Sequence, residues 1–132
     1  MKIFLGTDIL EIARIEKAYE KFGAKFLAKT YTEKEIEYCL SSESKIAERL
    51  AVRFATKEAV SKALGVGINK LGWAKGINLK DVELVRNELG DVTLILSGIA
   101  KQLEIEKDLD RWEVSVAHSD THALATVIGY RE

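Results

Sequence analysis

A chain of 132 residues with 47% hydrophobic and 31% charged side chains has the composition of a globular domain, which excludes the disordered and fibrous classes. Its formal net charge of -1 gives no overall pull toward nucleic acid, so attraction for any charged partner must come from a local patch. The lone Cys39 excludes an internal disulfide and fits a reducing compartment.

One domain over residues 1–132 is expected, since a chain of this size buries roughly two thirds of its unfolded surface without a disulfide or structural metal. Ile3-Phe4-Leu5 is far shorter than the ~7 to 15 apolar residues of a signal peptide. No run approaches the ~18 to 20 that span a bilayer. The expectation is a soluble, cytoplasmic protein with neither membrane nor nucleic acid as partner.

Residues 2–9 are apolar and β-prone and give way at Asp8 to a helical spacing, which predicts a buried strand feeding a helix. On a wheel of about 100° per residue, Ile12, Ile15, Tyr19 and Phe22 share one side, and Arg14, Lys17, Lys21 and Lys25 another. Gly23 frays or ends this helix. Thr32 and Glu35 have the spacing of a capping box and predict a short helix to about Leu40. A further helix starts near 42–44 and runs to Gly65, a fitting left-handed cap with Lys62 in the last turn. Glycines and the isolated Trp73 make 66–76 an irregular loop. Residues 81–85 and 92–96 predict two strands joined by a hairpin turn, 97–108 a helix, and 112–118 and 123–130 a second strand pair around a polar turn. Helices early and strands late argue for an α+β domain, a mainly antiparallel sheet packed with helices.

The helix through 53–65 is otherwise built from alanine, valine and leucine, so its charges call for an explanation: an unpaired ion away from water costs several kcal/mol. Glu58 and Lys62 have the spacing of a surface ion pair worth ~0.3 to 0.5 kcal/mol. Arg49, Arg53 and Lys57 form a stripe on roughly the opposite side. Asp8 at a helix start has the plain reading of an N-cap worth ~1 kcal/mol. The functional alternative joins these residues. Two carboxylates, Asp8 and Glu58, suit Mg²⁺, which prefers oxygen ligands and fills its shell with water and phosphate; Lys62 would then neutralise phosphate as a point cation. His118 lies where a strand opens into a turn, and His122 carries no assignment. The basic stripe Arg14, Lys17 and Lys21 is either a solvated face or a docking surface for an acidic partner. There is no Walker-type loop, G-x-G-x-x-G or zinc-spaced Cys/His cluster, which removes the standard nucleotide and zinc readings.

Two stretches carry a resemblance: Gly6-Thr7-Asp8-Ile9-Leu10-Glu11-Ile12 with Arg14-Ile15, and Glu48-Arg49-Leu50-Ala51-Val52-Arg53-Phe54-Ala55-Thr56-Lys57-Glu58-Ala59-Val60-Ser61-Lys62-Ala63-Leu64-Gly65. They resemble the signature motifs of the holo-acyl-carrier-protein synthases, the short bacterial type of 4′-phosphopantetheinyl transferase. The similarity continues through 81–83, 94–98 and 112–118 and so covers nearly the whole chain. It implies Mg²⁺-dependent transfer of 4′-phosphopantetheine from coenzyme A to a serine of apo acyl carrier protein, with release of 3′,5′-ADP. By the same resemblance Asp8 and Glu58 match the metal-binding acids and Lys62 the lysine on the coenzyme A phosphates. Arg53, Ser61, Gly65, His118 and Ser119 fall where the family lines its coenzyme A pocket, and Arg14 matches a basic position of the helix that docks the carrier. Lys17 and Lys21 fit that role chemically. A homotrimer with active sites between subunits is also implied.

Two departures stand out. Gly90-Asp91-Val92 lacks the proline that often follows the hairpin glycine, and Ala117 replaces a serine common before the strand-end histidine. Two other readings of the same residues are a non-enzymatic module for an acidic helical partner and a Mg²⁺-dependent hydrolase of coenzyme A.

Overall fold

The structure is a computed structural model that describes residues 2–66 and 76–132. The loop expected over 66–76 therefore lies, for residues 67–75, outside the described residues. Alternation of inward and outward side chains builds a three-stranded antiparallel sheet from β1 (Lys2–Glu11), β4 (Arg111–His118) and β5 (His122–Arg131), in the order β1-β5-β4. The central strand turns Ala123, Ala125 and Val127 inward, all fully buried. A separate hairpin pairs β2 (Val82–Arg86) with β3 (Val92–Leu96). Its turn does not need the missing proline, because Asn87 Oδ1 accepts hydrogen bonds from the backbone N–H of Leu89 and of Asp91, both 2.9 Å.

Among the described residues five α-helices cover these strands: α1 (Ile12–Phe22), α2 (Ala24–Thr30), α3 (Glu33–Leu40), α4 (Ile46–Ala63) and α5 (Gly98–Glu106). Among the described residues, no helix is long and apolar enough to cross a membrane. The α+β expectation holds, and most elements fall where the patterns put them. Thr32 and Glu35 form both halves of the capping box. Gly65, at φ +71°, ends α4 in the left-handed conformation that glycine adopts without strain.

Helix α4 is buried on nearly every side, with Leu50, Ala51, Ala55, Ala59 and Val60 at zero exposure. Small side chains let it lie directly on the sheet. A Cβ on Gly6 would sit 1.9 Å from the carbonyl oxygen of Ala59 and 2.8 Å from the nitrogen of Ala63, so the β1 backbone rests on the α4 backbone. That contact fixes the height of Asp8, two residues further along β1, against the last turns of α4.

Four expectations change. The strand over 2–9, expected to be buried, leaves Ile3, Leu5 and Ile9 exposed on its outer side, because the helices pack on the other side only. Asp8 is no N-cap: β1 continues to Glu11, and Asp8 stands mid-strand opposite Ala125, because pairing with β5 holds the chain extended past the point where helical spacing begins. On the apolar side of α1 only Ile12 and Ile15 are buried, and Phe22 at the helix end is 54% exposed. Lys25 leaves the basic stripe of α1: Gly23, at φ +52°, ends that helix as expected, and Lys25 falls on α2.

In the stripe of Arg49, Arg53 and Lys57 only Arg49 reaches solvent; Arg53 and Lys57 are buried. Lys57 is fully buried, with Nζ 2.7 Å from Glu35 Oε1 and a second hydrogen bond to the Val82 carbonyl. Glu35 also accepts from the N–H of Thr32 at 3.0 Å and of Leu84 at 3.2 Å. One ion pair thus ties α3, α4 and β2 together. Burial pushes the Lys57 ammonium below its ordinary pKa, and the Glu35 carboxylate opposes that shift.

Two stability changes follow. Gly6→Ala forces β1 off α4 and should cost about 1 to 3 kcal/mol, the range for overpacking, read as a lowered midpoint in thermal denaturation. Lys57→Met strands the Glu35 carboxylate in the core and should cost about 3 to 5 kcal/mol, as breaking a buried pair does; urea denaturation should show it as a lower midpoint at unchanged slope.

Candidate active site

Asp8 and Lys62 meet where β1 crosses the C-terminal half of α4. Lys62 Nζ donates to Asp8 Oδ1 and to the Thr7 carbonyl, each at 2.9 Å. Asp8 is 16% exposed at its side chain and Lys62 54%. With the ammonium in solvent, such a pair is worth at most about 1 kcal/mol, so Lys62 is tethered to Asp8 rather than locked there. Glu58, half-buried, stands one turn before Lys62 on the same face of α4. Its backbone carbonyl accepts from Ser61 Oγ at 2.7 Å, so the Ser61 hydroxyl folds back on its own helix. Gly65 is exposed two residues beyond α4.

The donor set suits a hard divalent ion. Among the described residues no group of three or more His, Cys, Asp and Glu converges on one point, which disfavours a closed structural cage. Two carboxylates with open surroundings match Mg²⁺, which keeps waters and takes ligands from a phosphate substrate.

Arg53 and His118 come together on the opposite side of α4. They line a groove of about 170 Å³ with Lys45, Glu48, Arg49 and Arg86. Arg53 is 2% exposed, its guanidinium 4.5 Å from the Tyr38 ring centre. Arg49 lies 4.2 Å from the same ring and donates to the Tyr38 carbonyl at 2.9 Å. The Nε of Arg53 is buried without a hydrogen-bond partner among the described residues. Ser119 is at the adjoining β4–β5 turn, where its Oγ accepts from the N–H of Thr121 at 3.2 Å and of His122 at 3.1 Å.

The basic side of α1 is a third region. Arg14 and Lys17 are exposed and line an open groove with Ile9, Glu11 and His122; Lys21 lies a turn further along, over the Phe22 ring at 5.2 Å. Sequence reasoning missed Lys45, Glu48, Tyr38 and Arg86. Arg49 and Arg53 are four residues apart, a spacing that could have suggested a shared partner, but nothing local signals that β2 brings Arg86 beside them.

Residues 4–127 match the family model described as the 4′-phosphopantetheinyl transferase superfamily. A holo-[acyl-carrier-protein] synthase of Gloeobacter violaceus is 44% identical over 123 residues, 93% of this chain and 89% of the relative. The crystal structure of the Helicobacter pylori holo-[acyl-carrier-protein] synthase in complex with coenzyme A is similar at a TM-score of 0.79 and 31% identity, over 96% of this chain and 99% of that one. The Bacillus anthracis synthase in complex with CoA (3′,5′-ADP) gives 0.73 and 33%, over 96% and 94%. A match across nearly the whole length, with the two sequence motifs folded onto one strand and one helix in contact, makes this chain a member of the 4′-phosphopantetheinyl transferase superfamily.

Proposed function

We propose that this protein transfers the 4′-phosphopantetheine arm of coenzyme A to a serine of apo acyl carrier protein and releases 3′,5′-ADP. The observation that carries the reading is the contact of Lys62 with Asp8, with Glu58 one turn away: two carboxylates and a cation on a surface open to substrate. In the transfer, the serine oxygen gives up its proton to a base at the site or to solvent and bonds to the phosphorus that bears the pantetheine arm, while the bond from that phosphorus to the 3′,5′-ADP oxygen breaks and leaves its electron pair on 3′,5′-ADP. Asp8 and Glu58 would hold Mg²⁺, which when bound supplies Lewis-acid charge neutralisation and a template for the pyrophosphate. Lys62, loosely held, can swing from Asp8 to the leaving phosphate and counter its charge. Much of phosphoryl-transfer catalysis is positioning and electrostatic stabilisation of this kind.

Coenzyme A also carries a 3′-phosphate, well removed from its pyrophosphate. The cationic groove with Arg53 and His118 suits that group, and Arg14, Lys17 and Lys21 suit the acidic surface of a carrier protein, where rim charge mainly speeds and orients encounter. Because the groove and the Asp8 cluster lie on opposite sides of α4, one complete site would combine the two halves from neighbouring subunits. The outer sheet face supports such a homotrimer: Leu5 pairs with Ile128 and Ile9 with Leu124, all four at least 37% exposed, with Ile3 at 60%. An uncovered apolar stripe of this kind marks a protein contact. The reaction is assigned to the cytoplasm.

Incubation with apo carrier protein, coenzyme A and Mg²⁺ should add one phosphopantetheine to the carrier by mass spectrometry. Chelator should abolish the addition, and Glu58→Ala should slow it at least about a hundredfold, as loss of a group that stabilises developing charge does. Carrier binding without a mass change would favour a docking module, and coenzyme A cleavage without carrier modification a hydrolase. For the shared site, Asp8→Ala and Arg53→Ala proteins, each inactive alone, should regain activity when their subunits exchange. Confirmed exchange with no recovery would count against it.

A further inference from the structure

The cationic groove contains an anion of its own. Glu48 lies in the first turn of α4, where an acid ordinarily complements the helix N-terminus. Its side chain, 32% exposed, also turns into the groove, with Oε2 3.7 Å from His118 Nδ1. Lys45, Arg49, Arg53 and Arg86 surround the same space. A carboxylate in a groove whose other permanently charged residues are cations has two effects on an incoming phosphate. It offsets the repulsion among the cations while the groove is empty, and it repels the ligand.

We propose that Glu48 is an internal counter-anion of this groove, a specificity-determining residue that competes with a ligand phosphate for His118 and the surrounding cations. The inference rests on the reading that the groove takes the 3′-phosphate of coenzyme A. It adds that the groove is tuned below its greatest affinity, so that 3′,5′-ADP, which keeps that phosphate, leaves after transfer. Repulsion across a few ångströms falls with ionic strength when the groups are partly exposed, so the effect is salt-dependent. A residue that merely held His118 in place for the ligand would act in the opposite direction, and loss of its charge would weaken binding.

Titration calorimetry with the full chain, using 3′,5′-ADP and 5′-AMP as non-reacting probes, separates these cases. Wild type should prefer 3′,5′-ADP, the probe with the additional 3′-phosphate. Glu48→Gln should tighten 3′,5′-ADP about three- to fivefold, the scale of a partly exposed charge pair, and leave 5′-AMP nearly unchanged; the gain should shrink at high salt. Glu48→Ala should act in the same direction, which keeps the test available should either variant fold poorly. Unchanged or weaker 3′,5′-ADP binding in the folded variants would overturn the proposal. So would an equal gain in Glu43→Gln, an exposed acid in the preceding turn, because the effect would then be net charge alone. If wild type does not distinguish the two nucleotides, the phosphate reading of the groove fails first and this proposal with it.

Discussion

The backbone-on-backbone contact between β1 and α4 at Gly6 governs the placement of every reactive group described. Because no side chain separates the strand from the helix there, Asp8 and Lys62, 54 positions apart in sequence, come within 2.9 Å. A larger residue at position 6 would lift the strand, and the carboxylate would lose its place relative to Glu58. The small residues facing it on α4, Ala55, Ala59 and Ala63, extend the same close approach.

A second constraint acts from the other side. The Glu35–Lys57 pair clamps α3 and β2 onto α4, and so fixes the walls that carry Tyr38 and Arg86 beside Arg53. Buried pairs of this kind contribute little net stability compared with apolar residues of the same shape, but they tolerate few alternative arrangements. Helix α4 therefore presents Glu58 and Lys62 to one side and Arg49 and Arg53 to the other with no freedom to roll between them.

Much of this was legible in the sequence. Period, caps and turns gave the order of elements apart from α2, and the motif resemblance named Asp8 and Lys62, which the structure brings into contact. What spacing could not give was depth. Lys57 and Arg53 share a wheel face with the half-exposed Arg49, and only the packing of α3 and β2 decides that the first two are buried. Asp8 read as a helix cap because local pattern has no knowledge of β5, whose pairing keeps β1 extended to Glu11. Arg86 and Lys45 entered the groove unannounced, since their partners lie on other elements. The first strand read as buried because its outer residues are as apolar as its inner ones, and the exposure of Ile3, Leu5 and Ile9 is a tertiary fact.

The stacking of Arg49 and Arg53 on Tyr38 has a consequence for how the groove stores charge. A carboxylate that holds an arginine cancels it, whereas an aromatic face attracts a guanidinium through its quadrupole and leaves the unit charge intact. Two arginines can then be held side by side with their field still directed outward. Tyr38 acts as an uncharged scaffold for positive potential, and what the groove offers a passing solute is attraction at a distance before any hydrogen bond has formed.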